Sequence, residues 1–339
     1  TLAAYERTLE TEVAGVRLRT PMMAIHTVAA GGGSIAQFDG ARYRVGPESA
    51  GANPGPACYL KGGPLTITDC NVMVGKIQPD LFPKVFGVNG DSPLDAEVVQ
   101  HQFTQLAAEI SDGRSPEQVA AGFLAIAVEK MANAIKKISL QRGYDVTEYT
   151  LCCFGGAGGQ HACLIADALG MRQIFIHPYA GVLSAYGMGL ADERALRERA
   201  VESVLDAKLV TELEEILTQF AAEAKEELNL TDKHIRVTDR MEVLRRVHLR
   251  YEGTDSSLQV KYEDVAGMQQ QFEAAHRQLY GFIASDRQLI VEAVAVEVAL
   301  KTEVATEPVV ARRTDAPPLP VKTVRMYTAD AWHDTPVYR

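Results

Sequence analysis

The chain has little of what marks a nucleic-acid binder, a disulfide scaffold or a membrane protein. Its 34 Lys and Arg are outnumbered by 44 Asp and Glu, giving a net charge of −10. The basic residues never gather beyond pairs such as Arg245-Arg246 and Arg312-Arg313. Phosphate backbones are gripped by dense positive charge, so nucleic acid is excluded as a main partner. Five cysteines stand at 58, 70, 152, 153 and 163, an odd number with no Cys-x-x-Cys among them. That spacing makes neither a zinc site nor a disulfide framework and fits a reducing, cytoplasmic setting. Cys58 follows a Gly/Pro-rich loop but has no local signature of a cysteine hydrolase. No run of eighteen apolar residues occurs, and the opening residues lack the order of a signal peptide, so no membrane is expected. The histidines never reach His-x-x-x-His spacing, and His26, His177 and His248 read as structural. What is present suffices for a large core: 47% of 339 residues are apolar against 23% charged, and the length points to two domains.

The most informative stretch is Cys153-Phe154-Gly155-Gly156-Ala157-Gly158-Gly159-Gln160-His161-Ala162-Cys163. A strand over Tyr149 to Phe154 breaks into four glycines and enters a helix, and a second strand follows over Gln173 to Ile176. The order is that of an α/β unit. Glycine lets a ligand come close to the backbone, and the free N–H groups of a first helical turn favour an anion. The spacing is neither the dinucleotide fingerprint nor a P-loop. An anion or nucleotide pocket and simple close packing both remain open. His161, in the first turn of that helix, either contacts a phosphate or substrate carbonyl or satisfies a carbonyl nearby.

Upstream, Met23 to Val28 and Ile35 to Phe38 read as strands on either side of a triple glycine, with Asp39-Gly40 as a hairpin turn. The loop from Gly46 to Gly63 is too rich in Gly and Pro for regular structure. It is either functional or a structural excursion over a sheet edge, and Ser49 and Asn53 are its small polar groups able to bind an amide or carboxylate. Thr68 reads as a helix start, which puts Asp69 in the first turn, where a carboxylate either caps the helix or holds Mg²⁺. The strongest helix is Ser115 to Gln141. Ser115 caps it, Pro116 opens it, Gln118 completes a capping box, and Leu124, Val128, Met131, Ile135 and Ile138 form one apolar stripe for the core.

Near residue 200 a second, α+β module begins. It carries a helix over Lys208 to Leu228, a strand through Val247, Leu249 and Tyr251, a helix over Val265 to Tyr280 and a strand over Leu289 to Leu300. The expected division is 1–200, 201–302 and 303–339, the last a Pro-rich linker and a tail whose Trp332 finds its partners outside the chain.

Three long motifs and the glycine turn together resemble the hydantoinase A/5-oxoprolinase family. They are Thr27-Val28-Ala29-Ala30-Gly31-Gly32-Gly33-Ser34-Ile35-Ala36, the run from Val45 to Tyr59, and Thr66-Ile67-Thr68-Asp69-Cys70-Asn71; Gly181 to Asp192 extends the likeness. Gly159-Gln160-His161 and Leu249 to Asp255 are similar to the 5-oxoprolinase branch, since hydantoinase-type members usually have Pro-Leu-His at the first of these. The resemblance implies an actin-like (ribonuclease H-like) ATPase lobe with a smaller C-terminal module, ATP with Mg²⁺, and ATP-driven opening of a cyclic amide, 5-oxo-L-proline to L-glutamate. It places the nucleotide at Gly155, Gly156, Ala157 and Gly158, and makes Gly31, Gly32, Gly33 and Ser34 a second loop facing phosphates or substrate. Ala30 stands where such a loop often carries Asp, a departure from the actin-like pattern that weakens the case for a metal at that loop. Asp69 is implied for the cation, and His161, Ser49 and Asn53 for the substrate.

Family members also carry two Asp-x-Gly-Gly-Thr loops upstream of Thr1 and continue past Arg339, so the chain is expected to be an internal part of the A-type component. A missing N-terminal lobe and a B-type component, fused or separate, are the implied partners, in a homo- or hetero-oligomer. The alternatives are a hydantoinase, the ATP-using subunit of a ketone carboxylase, and an interaction module without turnover.

Overall fold

The computed structural model describes residues 7–13, 16–23, 25–141, 143–231, 240–302 and 319–338. They fall into two compact units, the first drawn from Thr1–Ile138, Val146–Gly181 and Thr314–Arg339, the second from Ser139–Asp145 and Val182–Arg313.

The first unit opens with an antiparallel hairpin of β1 (Arg7–Val13) and β2 (Val16–Met23). The strand expected over Met23 to Val28 ends at Met23. Residues 25–28 pair with no strand, and Ile25 and Val28 are exposed. A second hairpin joins β3 (Ser34–Phe38) to β4 (Tyr43–Ser49). Its turn is the expected Asp39-Gly40, where Asp39 Oδ1 accepts from the amides of Ala41 (3.0 Å) and Arg42 (2.8 Å).

Three helices follow: α1 (Ile67–Met73), α2 (Ala96–Ile110) and α3 (Pro116–Gln141). The cap of α1 is Thr66, two residues before the expected Thr68. In α2 the Asp95 carboxylate accepts from the amides of Glu97 and Val98, and Val99 and Phe103 are its fully buried residues. The capping box of α3 is formed in both directions, Ser115 N to Gln118 Oε1 at 3.0 Å and Gln118 N to Ser115 Oγ at 3.3 Å. α3 is long and apolar enough to cross a membrane, but Val119, Ala120, Phe123, Leu124 and Ala127 line the core of this unit.

Next come β5 (Leu151–Cys153), α4 (Ala162–Leu169) and β6 (Ile174–Ile176). The two strands pair in parallel, Cys153 opposite Ile176, as a β-α-β unit requires. Ile165, Ala166 and Leu169 of α4 pack against Val128 and Ala132 of α3.

The second unit holds α5 (Leu183–Leu190), β7 (Glu193–Val204), α6 (Ala207–Thr231), β8 (Met241–Tyr251), β9 (Leu258–Lys261), α7 (Val265–Tyr280) and β10 (Leu289–Leu300). Its strands form one antiparallel sheet in the order β7-β10-β8-β9. Val294, Val296 and Val298 of β10 pack with Leu213 and Leu217 of α6 and with Met268 and Phe272 of α7, giving a core on one face of the sheet. On the opposite face Glu297 is 2% exposed and accepts from Arg194 Nη1 at 2.7 Å. β7 already starts at Glu193, so residue 200 falls inside a strand.

The last elements are β11 (Lys322–Thr328) and β12 (Ala331–Val337), an antiparallel hairpin. It belongs to the first unit. Tyr327 donates its amide to Val74 O at 2.8 Å and joins the core of α1, α2 and α3. Trp332 meets Tyr327 edge-on at 5.6 Å between ring centroids, which corrects the expectation that its partners lie outside the chain. Most of the expected Pro-rich linker, residues 303–318, lies outside the described residues.

Candidate functional site

The turn from Gly31 to Ser34 leads into β3 and is fastened on two sides. Gly32 O accepts from the amide (2.9 Å) and the hydroxyl (3.0 Å) of Thr68 in α1, and Gly33 O accepts from Ala50 N at 2.8 Å, just after β4. A Cβ on Gly33 would lie 2.9 Å from Ser49 Oγ. One on Gly32 would lie 2.8 Å from Thr68 Oγ1 and 4.0 Å from Ala157 Cβ. That last distance matters most, because it brings the two glycine turns face to face.

The second turn leaves β5 through Gly155, whose φ of +87° is open only to glycine without strain. Gly155 N donates to Ala180 O at 2.7 Å. Gly31, Gly155, Gly156 and Gly159 all look onto open space where a side chain would stand. Among the described residues the amides of Gly156 and Ala157 have no hydrogen-bond partner. Such exposed donors beside a helix start can take an oxyanion. Phe154 and Tyr179, each about half exposed, sit next to Gly155 and Ala180 in the chain and offer apolar surface beside the turn.

The Gly46–Gly63 loop is ordered by contacts with itself and with α1. Gly55 N bonds Ala50 O and Ala57 N bonds Pro64 O, and a Cβ at Gly63 would fall onto the carbonyl of Gly55. Asp69 closes it. The carboxylate is fully buried and accepts from the amides of Ala57 (3.1 Å), Cys58 (2.8 Å) and Thr66 (2.8 Å) and from the Thr66 hydroxyl (2.9 Å). Four donors occupy an anion with about four acceptor positions. Of the two roles open to Asp69, this geometry is that of a cap and loop clamp; it does not fit the cation, and no group of three or more His, Cys, Asp or Glu suited to a metal occurs among the described residues. Cys58 is fully buried beside it, and burial followed by the Asp69 charge pushes its thiol up, out of reach as a nucleophile.

His161 caps α4 with 4% exposure, next to the fully buried Asn71 of α1. Asn71 Nδ2 donates to Ile67 O at 3.0 Å and faces His161 Nε2 at 3.5 Å. Burial first, and the Lys76 charge second, lower the imidazole pKa to about 4, so the ring is neutral. Lys76 Nζ donates to Gln160 O at 3.1 Å and lines a cavity of about 510 Å³ with Val74, Leu124, Leu164 and Tyr327.

Of the residues expected at the site, Gly31 to Ser34, Ser49 and Gly155 to Gly158 converge, and His161, three residues past Gly158, is buried against Asn71 of α1. Asn53 is exposed farther along the loop, and no hydrogen bond links it to them among the described residues. Thr68, Asn71 and Lys76 were not expected. Asn71 had a signal, a polar residue inside the apolar run of α1; Lys76 had none.

The hydantoinase/oxoprolinase family profile matches residues 2–197. The 5-oxoprolinase 1 of Arabidopsis thaliana is 36% identical over 99% of this chain, which spans 27% of that protein's length. The solved ATP-dependent caprolactamase of Pseudomonas jessenii superposes with a TM-score of 0.80 at 28% identity, over 98% of this chain and 49% of the caprolactamase chain. A nucleotide-free acetone carboxylase chain superposes with a TM-score of 0.67 at 21% identity, over 98% of this chain and 49% of its own. The fold is thus the α/β, actin-like one of these proteins. With a profile match over more than half its length, the chain belongs to the hydantoinase/oxoprolinase family.

Proposed function

We propose that the chain is the nucleotide-holding part of an ATP-dependent cyclic amide hydrolase whose substrate is 5-oxo-L-proline, opened to L-glutamate. The approach of Gly32 to Ala157 across the two glycine turns carries this reading. It makes a small cradle with unpaired amides, and the exposed rings of Phe154 and Tyr179 give a base somewhere to rest. The branch-specific Gly159-Gln160 and the likeness to a 5-oxoprolinase support the substrate, and the likeness to a caprolactamase supports a lactam in general.

A lactam resists water because its nitrogen shares its electron pair with the carbonyl. ATP, when bound, would give a phosphoryl group to the amide oxygen and leave as ADP, which draws the nitrogen's electron pair away, so that water can add at the carbon, the ring C–N bond can break with the nitrogen leaving as the protonated amine, and phosphate can depart to leave the carboxylate. This chain's part is to hold and orient. The amides of Gly156 and Ala157 face the phosphates, Gly31 to Ser34 close the other side, and Ser49 and the neutral His161 are offered to the amide or carboxylate. Asp69 serves by keeping the loop bearing Ser49 and Asn53 in place. Turnover belongs to the assembly with the rest of the A-type part and a B-type component.

Calorimetry with ADP and ATP, comparing wild type with Gly156→Val, tests the site. The branched side chain would fill the open space over the turn and is expected to weaken nucleotide binding at least tenfold while leaving the fold intact. Equal affinity in the folded variant would move the nucleotide elsewhere.

A further inference from the structure

At the start of α4 and on α1, two buried side chains keep hydrogen-bonding capacity that no partner among the described residues takes up. Asn71 Oδ1 and His161 Nδ1 both lack a partner among the described residues. A buried polar atom left unpaired is costly, so each one calls for an explanation.

The arrangement of the pair fixes more than its position. An amide –NH₂ can only donate, so the nitrogen of His161 that faces Asn71 Nδ2, Nε2, is the acceptor of the ring. Asn71 cannot simply be turned over, because the same Nδ2 donates to Ile67 O. The ring proton therefore sits on Nδ1. Position adds the rest. Thr68, which bonds Gly32 O, and Asn71 are three residues apart on α1 and share one face, while His161 follows the turn whose Ala157 faces Gly32.

We propose that Asn71 is a positioning residue that holds His161 in the Nδ1–H tautomer, and that this buried N–H is reserved for an oxygen acceptor of the ligand held between the glycine turns. A phosphate oxygen and an amide carbonyl share that chemistry. The proposal rests on the site proposed above and adds to it the residue that sets the ring's polarity.

The test reads the tautomer directly, by ¹⁵N NMR of histidine-labelled protein. Wild type is expected to carry the proton on Nδ1 at neutral pH. Asn71→Asp puts an acceptor in place of the donor and is expected to move the proton to Nε2. Asn71→Ser, a smaller change kept in case the carboxylate prevents folding, is expected to give a mixture of tautomers. ADP and 5-oxo-L-proline, titrated separately, identify the acceptor: the ligand that shifts the Nδ1–H resonance should lose tenfold or more in affinity in Asn71→Asp, and the other should not. A wild-type proton on Nε2, or a tautomer unchanged in both variants, would overturn the assignment of Asn71. ADP binding by calorimetry with no movement of Nδ1–H from either ligand would overturn the reserved donor, leaving a buried water as its partner. If neither ligand binds, the nucleotide reading and the ligand half of this proposal fall together, and the spectrum of the free protein still decides the tautomer.

Discussion

Replacing Asp69 by Ala would leave the amides of Cys58 and Thr66 and the Thr66 hydroxyl without their acceptor in a fully buried setting, and Ala57 N with Pro64 O alone. The expected loss is about 3 kcal/mol or more, read from urea unfolding, and Asp69→Asn should lose less because one oxygen remains. Neither change should alter Mg²⁺ dependence of nucleotide binding in protein that stays folded; a loss confined to Mg²⁺-dependent binding would return the cation to Asp69. His161 gives a pH signature. Its pKa is lowered to about 4 in the folded chain against an ordinary 6.5, so between these values the unfolded chain takes up the proton and the folded one does not. Stability is therefore full above pH 6.5, falls as pH drops toward 4 and levels off below, by at most about 3 kcal/mol. His161→Gln should flatten that window relative to wild type in paired urea titrations at pH 7.5, 5.5 and 4.5. The place of Asp69 in a first turn was legible from its neighbours in sequence. Its partners Ala57 and Cys58 were not, because they come from a loop whose path no local pattern dictates.

At the scale of elements, legibility followed the source of each element's stability. α3 announces itself through a capping box and a repeating apolar face, both local, and its bounds agree with the sequence within a residue. Phe123 of this helix is fully buried against Tyr43, ring centroids 4.8 Å apart, and Phe123→Ala should cost about 3–5 kcal/mol in thermal or urea unfolding. β7 and the hairpin of β11 and β12 went unread. In β7 half of the residues are charged, and arginines such as Arg197 reach Glu223 and Glu227 of α6, so burial does not track hydrophobicity. The hairpin is held by a core assembled far earlier in the sequence.

For the whole molecule, the sequence pointed to two modules but not to how the chain is shared between them. The first unit takes residues from the beginning, the middle and the end. Removing residues 319–338 should expose Val74 and its neighbours, and hydrogen exchange of α1 and α3 amides is expected to quicken while that of β10 stays slow; unchanged protection in α1 would mean that Tyr327 adds nothing to that core.

The bond from Tyr327 N to Val74 O also sets an order of events during synthesis. At roughly 5–20 residues per second, the ribosome needs on the order of ten seconds or more to travel from one partner to the other. Throughout that interval the nascent first unit waits with an open flank, while the sheet of β7 to β10, encoded in between, is already complete and able to fold. A chaperone that attends this protein as it is made would therefore find its binding surface beside Val74, and would have to leave when the last hairpin emerges.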